Sequence, residues 1–258
     1  MISRIKEIME YKELLQNLTV KELKLKYKNS VLGFLWSFLN PLLMLVIYTF
    51  AFKYVLRMQV ENFSVFLLAG MLPWTFFQTS VMGSTNSLVS NAGLIKKVYF
   101  PREIMPLSLI FSNFVNFLIT FLILFAAVLA FKIKIGFAIL LLPVILILLL
   151  LITIGISLGL SALNVLYRDV AHFVEIIFMA WFYATPVVYS FDLIPEAVRP
   201  LILLNPMTLV VQSVRDVVIY NKVPPVGYLL GMFVMAVIFI LIGYMIFKRI
   251  ERGIAEAI

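Results

Sequence analysis

Long apolar segments separated by short polar ones make up most of the chain. Because a bilayer core takes about 20 residues of apolar helix, we predict a transmembrane helix in each of six segments. These segments lie at residues 33–56, 63–83, 104–131, 136–164, 171–190 and 226–247. The second is the weakest, since Gly70, Pro73 and Gln78 interrupt it, although membrane helices tolerate proline and glycine better than soluble helices do.

Two further segments have a different pattern. Apolar and charged side chains interleave at roughly helical spacing over residues 1–30, which predicts an amphipathic helix in the membrane interface. Residues 191–225 are rich in proline, and their apolar runs are too short to span a bilayer. We predict two short re-entrant helices there, within the outer leaflet; the alternative is a plain external loop. With spans one to five at 33–190 and span six at 226–247, residues 1–258 form a single transmembrane domain.

The composition supports the membrane class. Hydrophobic residues make up 63% of the 258 residues and charged residues 13%, whereas soluble domains average about 25% charged residues. Mean hydropathy is +1.07. We therefore predict an all-α membrane protein. The net charge of +8 is spread over loops and the amino-terminal segment, which favours membrane lipids with anionic headgroups over nucleic acid as the partner.

The distribution of Lys and Arg predicts the orientation of the chain. Fourteen of them fall in the segments on one side of the predicted spans, which include both termini, and seven fall on the other side. Cytoplasmic loops carry the excess of basic residues in membrane proteins. Both termini and the loop at 90–107 are therefore predicted to be cytoplasmic.

Residue types for catalysis or metal binding are scarce. The chain has no Cys and one His, His172, which excludes disulfides, thiolate nucleophiles and His-rich metal sites. The sequence contains no G-x-x-x-x-G-K-[ST] phosphate loop, so an ATP-driven step requires another chain. Glu175 falls about one turn into span five. This carboxylate is compatible with an ion-coupled carrier. The simpler interpretation is that its side chain reaches the membrane interface.

Aromatic residues in the predicted spans are candidates for lining a polar conduit. Trp74 and Trp181 lie near the middle of spans two and five, whereas tryptophan normally lies at the interfaces. Indole N–H and tyrosine O–H groups find partners in a polar interior, and flat rings suit the faces of sugars. The candidate conduit residues are Trp36, Tyr48, Trp74, Trp181, Tyr183 and Tyr189. Ordinary helix packing is the alternative for each of them.

Four segments resemble a known family, in order along nearly the whole chain. They read LKYKNSVLGFLWSFLNPLLMLVIYTF from residue 25, NAGLIKKVYFPREIMPL from residue 91, NVLYRDVAHFVEIIFMAWFYATPVVY from residue 164 and LILLNPMTLVVQSVRD from residue 201. The chain is similar to the membrane subunits of type-two ABC exporters of bacterial cell-surface polysaccharides, namely the Wzm-like O-antigen permeases and the related teichoic-acid permeases.

The resemblance implies a function, partners and a location. Two copies of the chain would form a homodimer around a conduit in the bacterial inner membrane, together with two copies of an ABC ATPase subunit that binds ATP and Mg²⁺. The cargo would be O-antigen polysaccharide on an undecaprenyl pyrophosphate lipid. The chain itself would be a transport subunit, not an enzyme, and would bind no cofactor. A teichoic-acid, other glycan or small-molecule export permease is the alternative.

The resemblance also implies where the ATPase docks, in the loop between spans two and three. The matching residues are Asn91, Leu94, Ile95, Lys96, Lys97, Tyr99, Phe100, Pro101, Arg102 and Glu103. The spacing of positions 94, 95, 98 and 99 predicts an apolar stripe on a short helix closed by the proline, with the basic residues as a polar rim. A smaller contact is implied at Tyr167, Arg168 and Asp169, for which a structural ion pair or helix cap is the alternative.

Overall fold

The computed structural model describes residues 2–28, 30–58, 60–251 and 253–254, and all regular structure in these residues is helical. The α-helices in chain order are α1 (Ile2–Glu10), α2 (Lys12–Tyr27), α3 (Trp36–Tyr48), α4 (Phe63–Ser90), α5 (Ala92–Lys97), α6 (Ile104–Ala130), α7 (Leu142–Leu166), α8 (Val170–Ala184), α9 (Arg199–Leu203), α10 (Pro206–Val218) and α11 (Val226–Glu251). Short 3₁₀ helices lie at Gly33–Leu35, Phe137–Leu141 and Phe191–Leu193, and a π-helix lies at Thr49–Val55. The all-α prediction is confirmed.

Within the described residues, five helical stretches are long and apolar enough to cross a membrane. They are Gly33–Val55, Phe63–Ser90, Ile104–Ala130, Phe137–Leu166 and Val226–Glu251. These stretches match five of the six predicted segments. The first and fourth each join a 3₁₀ helix to an α-helix, so the hydrophobic pattern located the spans better than it located their internal geometry.

The span predicted at 171–190 is helical over only part of its length. Helix α8 has 15 residues and is therefore about 22 Å long, which is short of a bilayer core of about 30 Å. The helix stops because Thr185 precedes Pro186, and a residue before proline is pushed out of the helical region. Thr185 is accordingly extended, with φ −108° and ψ 132°.

The amino-terminal segment forms two helices rather than the single predicted one. Helix α1 ends at Glu10 and α2 starts at Lys12, with a break at Tyr11. Residues 1 and 29 of the predicted helix lie outside the described residues. Leu18 of α2 is buried in an apolar cluster with Leu88, Ile95 and Ile104, so α2 is packed against the helical bundle through its apolar side.

Helix α4 forms the centre of the fold, although its sequence was the weakest predicted span. In its most apolar stretch 78% of the residues are buried, against 6% for Gly33–Val55. Helices α6, α7, α8 and α10 all pack against it. A helix enclosed by protein on most sides does not need the uninterrupted apolar surface that lipid requires, which explains why Gly70, Pro73 and Gln78 are compatible with a span.

Helices α7 and α11 pack closely through glycine. A Cβ added to Gly243 would overlap the carbonyl oxygen of Gly155, and one added to Gly159 would lie 3.3 Å from the Cα of Gly243. Gly155 and Gly159 are four residues apart, which places them on one face of α7. Small residues at this spacing allow close approach of helices in membranes. This contact went unnoticed in the sequence because its two halves are more than 80 residues apart.

The segment at 191–225 contains two short helices, α9 and α10. The side chain of Asn205 accepts a hydrogen bond of 3.0 Å from the backbone N–H of Met207, and Pro206 is the first residue of α10. Both features favour a helix start. Helix α10 is largely buried and packs against α4, α7 and α11, so this segment belongs to the folded core. Its depth in a bilayer stays a prediction.

Candidate functional site

The loop predicted to dock an ATPase contains helix α5 between α4 and α6. Its exposed side chains are Lys96, Lys97, Val98 and Tyr99, and Tyr99 has 78% of its surface accessible. Asn91 and Leu94 are partly buried. An exposed tyrosine beside basic side chains has the composition that protein interfaces favour, because an aromatic ring supplies contact area and the cations supply polar contacts at the rim.

Four of the other predicted docking residues of this loop are buried. Ile95, Phe100, Pro101 and Glu103 lie inside the fold, where the first two join the apolar cluster around Leu18. Helix α5 ends at Lys97 and Val98 is extended, so the predicted stripe over positions 94, 95, 98 and 99 is wrong as a helical face. These buried residues shape the loop from within.

Arg102 and Glu103 bind other parts of the chain. Glu103 accepts hydrogen bonds from Arg4 at 2.8 and 2.9 Å, and Arg4 also pairs with Glu7 at 2.8 Å and with Glu251. Arg102 donates to the backbone carbonyl of Glu251. We call Arg4, Glu7, Arg102, Glu103 and Glu251 the carboxylate cluster. It fastens the loop to α1 and to the end of α11, which is a structural role that the sequence did not indicate.

Charge pairing dominates the electrostatics of the carboxylate cluster. Burial by itself lowers the pKa of Arg4, but hydrogen bonds to Glu103 and Glu7 and the charges of Glu103 and Glu251 outweigh burial and raise its pKa above the ordinary value. Arg4 therefore stays charged and holds the three carboxylates together.

The second predicted contact, Tyr167, Arg168 and Asp169, forms the exposed turn between α7 and α8. Asn164 holds this turn: its side-chain oxygen accepts a 3.1 Å hydrogen bond from the N–H of Ala171, and its amide donates 3.1 Å to Asn86 of α4. Because Asn86 is one turn from the end of α4, where α5 begins, the turn and α5 lie at the same end of the bundle. We call Lys96, Lys97, Val98, Tyr99, Tyr167, Arg168 and Asp169 the loop surface.

Two of the predicted conduit residues lie in an aromatic cluster between α4 and α8. Trp74 contacts Trp181 at 6.5 Å between ring centroids, and Phe77 and Phe178 complete the cluster. Trp74 is 2% exposed, so it packs inside a single chain. Trp181 is partly buried and donates its indole N–H to Asn205 at 2.8 Å, which links α8 to the start of α10.

The remaining predicted conduit residues are more accessible. Tyr183 is 68% exposed, and its backbone carbonyl accepts a hydrogen bond of 2.9 Å from the hydroxyl of Tyr189. Tyr48 packs against Phe182 with 6.3 Å between ring centroids. Trp36 is 36% exposed and lines a cavity between α2, α3, α4 and α6. The structure thus buries Trp74 and leaves the other five candidates partly or largely exposed, on α3, on α8 and, for Tyr189, after the end of α8.

Arg215 of α10 is fully buried, and its role was not predicted from the sequence. It donates hydrogen bonds to the carbonyls of Phe66, Pro186 and Val187 at 3.3, 2.7 and 2.6 Å, and its guanidinium lies 3.4 Å from the ring centroid of Phe66. Within the described residues it has no carboxylate partner. Sequence analysis missed this role, although an arginine inside the apolar run LVVQSVRDVV was a usable signal.

Gly70 makes room for this arrangement. A Cβ at Gly70 would lie 2.8 Å from Nη2 of Arg215 and 2.8 Å from the carbonyl oxygen of Val187. Gly70, which weakened the prediction of the second span, is therefore explained by packing. The absence of a side chain allows the guanidinium and the irregular backbone after α8 to approach α4. We call Gly70, Pro186, Val187 and Arg215, with Phe66, the arginine clamp.

The remaining ionisable residues of interest are His172 and Glu175, and the possible metal ligands of the chain. Among the described residues, no three of His, Cys, Asp and Glu lie close enough to hold a metal ion. His172 and Glu175 are both exposed on the first turns of α8. Their position near the helix start matches the simpler of the two interpretations of Glu175.

Comparison with known proteins identifies the family. The family described as ABC-2 type transporter matches residues 13–219. An O-antigen export system permease protein RfbA of Klebsiella pneumoniae is 36% identical over 245 residues, which cover 95% of this chain and 94% of that protein. The protein of the same name from Myxococcus xanthus is 34% identical over 260 residues and covers 100% of both chains. The chain is therefore a multi-pass membrane protein that belongs to the ABC-2 type transporter family.

Proposed function

We propose that this chain is the transmembrane subunit of an ATP-driven exporter that moves O-antigen polysaccharide, linked to undecaprenyl pyrophosphate, across the bacterial inner membrane. The observation that carries the proposal is the similarity over the full chain to permeases named for O-antigen export. Both termini and the loop surface face the cytoplasm in this proposal, as the excess of Lys and Arg on that side favours.

Two copies of a separate ABC ATPase are the proposed energy source, and the loop surface is their docking site. Exposed Tyr99 and Tyr167 supply contact area, and Lys97 and Arg168 supply positive charge at the rim. The buried part of the loop and the carboxylate cluster connect this surface to α1, α6 and α11. A movement of the docked ATPase would therefore act on several helices at once.

A sixth crossing is proposed for α8 together with residues 185–190. Non-helical backbone at membrane depth is tolerated where protein covers it and its polar groups are paired. Residues 185–188 are buried, and Arg215 pairs with the carbonyls of Pro186 and Val187. The arginine clamp thus supports a crossing that α8 is too short to complete alone, and it supports α10 as a re-entrant helix that shapes the exit.

A homodimer around a conduit is proposed from the two least covered helices. Among the described residues of α3, Ser37 is the buried one, and α8 buries Val174 and Phe178. Exposed Tyr183 on α8 and Trp36 at the start of α3 would face the conduit or the second copy. Polar residues on α4 support a water-filled space nearby, since Thr75, Thr79 and Asn86 are exposed within a span and polar groups in spans favour such surroundings.

The proposal is tested in a bacterium whose O-antigen permease gene is deleted and which expresses this chain with an affinity tag. Purification under mild conditions should recover an ABC ATPase in about equal molar amount, and polysaccharide should return to the cell surface. Recovery without any ATPase chain would reject the proposal. Recovery with an ATPase, but return of another surface polymer in place of O-antigen, would point to the teichoic-acid or other glycan alternative.

A further inference from the structure

A cavity of about 190 Å³ with several polar side chains in its lining lies between α2, α3, α4 and α6. Six of its lining side chains carry chemistry that selects ligands: they are Lys26, Tyr27, Trp36, Asn40, Asn113 and Asn116. The cavity is separate from the loop surface, from the aromatic cluster and from the arginine clamp. Its volume is below the range of roughly 300–1,000 Å³ typical of drug-sized ligands, so it suits a headgroup rather than a whole lipid.

One wall of the cavity is fixed by a hydrogen-bonded group. The side-chain oxygen of Asn116 accepts hydrogen bonds from the hydroxyls of Tyr27 at 2.6 Å and Ser37 at 2.7 Å, and the two hydroxyl oxygens are in contact with each other. The oxygen of Asn116 is therefore fully used. Its amide N–H₂ group has no partner within the described residues and is left to donate to a ligand.

The cation and the amide groups of the cavity offer several free donors. Lys26 directs its ammonium toward the side-chain oxygen of Asn113 at 3.4 Å, which leaves further N–H groups of both residues unused. The side chain of Asn40 has no partner within the described residues. Among the lining residues there is one cation and no carboxylate. This combination favours a ligand that carries negatively charged oxygen atoms.

The depth of the cavity fits a lipid headgroup. Asn113 lies 17 residues before the end of α6 at Ala130, or about 26 Å along the helix. In a bilayer core of about 30 Å, with the start of α6 on the cytoplasmic side, this position is close to the inner boundary, where phosphate groups lie. Outward from the cavity, α3 exposes Leu42, Leu43 and Val46, which offer an apolar surface for a hydrocarbon chain.

We propose that this cavity binds the phosphate-bearing headgroup of a lipid in the inner leaflet, with Lys26 and the three asparagines on the phosphate oxygens and Trp36 against the adjoining group. The lipid is either an anionic phospholipid or the pyrophosphate end of the lipid-linked cargo, since both present the same oxygen chemistry. In the second case the cavity is a loading site, which rests on the proposed function.

The test measures lipid binding to the purified full chain in detergent by native mass spectrometry. Two probes are used, phosphatidylglycerol and a polyprenyl pyrophosphate that carries one sugar. Lys26→Gln should lower the occupancy of the bound lipid about tenfold, because a charge-assisted hydrogen bond is lost, and Asn40→Ala should lower it about threefold. Lys24→Gln removes the same charge two residues away, outside the cavity, and should leave binding within about twofold of the original chain.

Each result separates the two sources of phosphate. Loss of the polyprenyl probe alone identifies the cargo lipid, loss of phosphatidylglycerol alone identifies an ordinary phospholipid, and loss of both identifies a general phosphate site. Equal binding by the Lys26 and Lys24 variants with both probes would overturn the proposal. Because the assay measures binding without transport, this failure would leave the proposed export function intact, and failure of export in cells would leave the binding result intact.

Discussion

The carboxylate cluster and the arginine clamp each surround an arginine, partly buried Arg4 and fully buried Arg215, but they satisfy it in different ways. Arg4 pairs with Glu7, Glu103 and Glu251, whereas Arg215 donates to three backbone carbonyls and stacks on Phe66. The first arrangement joins three separate elements through charges, and the second fixes one irregular stretch of backbone. Charge pairs at the edge of the fold weaken when water enters. A buried carbonyl that loses its donor has no water molecule to take the donor's place.

The difference suggests a division of work between the two ends of the bundle. The clamp would be rigid, because an unpaired carbonyl or guanidinium in the core costs several kcal/mol. The carboxylate cluster sits beside the loop surface and could rearrange at lower cost when a partner moves. The following substitutions test this contrast, in order of decreasing effect on the free energy of unfolding.

Replacing the clamp arginine should have the largest effect. Arg215→Met leaves up to three carbonyls without a donor, so we expect a loss of about 3 kcal/mol in the free energy of unfolding, measured by denaturation of the purified protein in detergent. Arg215→Lys should recover part of this loss, because lysine lacks the planar set of donors. Arg199→Met is the control: Arg199 also donates to two carbonyls, but its side chain is 33% exposed, and its loss should cost about 1 kcal/mol. Equal losses at both positions would remove the distinction between a buried clamp and a surface contact.

Neutralising the centre of the carboxylate cluster should have a smaller effect. Glu103→Gln removes the charge that Arg4 faces, and we expect a loss of about 2 kcal/mol, below that of a fully buried ion pair because part of the cluster is exposed. Hydrogen exchange of α1 should rise as its attachment weakens. Glu10→Gln, at an exposed position of the same helix, should leave exchange unchanged. If α1 stays fully protected in the Glu103 variant, the cluster is not what attaches it.

Two glycine substitutions should have effects of opposite sign. Gly70→Ala places a methyl group 2.8 Å from the Arg215 guanidinium and should cost about 1–2 kcal/mol through overpacking. Gly93→Ala in α5 meets nothing within 4 Å and should stabilise the protein by about 0.5 kcal/mol, because alanine reduces the freedom of the unfolded chain. Thermal unfolding of both variants measures the difference. A neutral Gly70 variant would show that the clamp has room to relax.

The loop surface should tolerate substitution with the smallest effect on stability. Lys97→Glu combined with Tyr99→Ala changes exposed side chains, so unfolding should shift by about 0.5 kcal/mol or less. Recovery of the ATPase during co-purification should nevertheless fall at least tenfold. The matched control is Lys53→Glu with Tyr54→Ala, an exposed Lys and Tyr pair on the opposite side of the predicted topology. Equal ATPase recovery with both double variants would reject the docking assignment.

The sequence predicted what depends on local pattern. The ends of four spans, the two short helices within residues 191–225 and the exposure of Lys97 and Tyr99 follow from hydrophobic runs, proline positions and charge. It mispredicted where the helix at 171–190 ends, because the apolar pattern continues after the helix stops, although Thr185 before Pro186 was a visible signal.

Contacts between distant residues could not be predicted from the sequence. Glu103 was assigned to a partner, but its charge is satisfied by Arg4 across 99 residues. Gly70 weakened the prediction of a span, but in the structure Arg215, 145 positions later, occupies the space beside it. In both cases the role of the residue depends on a tertiary contact that its local sequence does not show.

ATP-dependent transport by the reconstituted complex tests the central claim most directly. The chain and its co-purified ATPase are placed in liposomes with a fluorescent lipid-linked O-antigen fragment, and a glycosidase outside the liposomes reports fragments that reach its leaflet. We expect transfer that requires ATP and that the Lys97→Glu, Tyr99→Ala variant loses. Transfer by this chain alone under an ion gradient, without ATP or an ATPase, would contradict the proposed function.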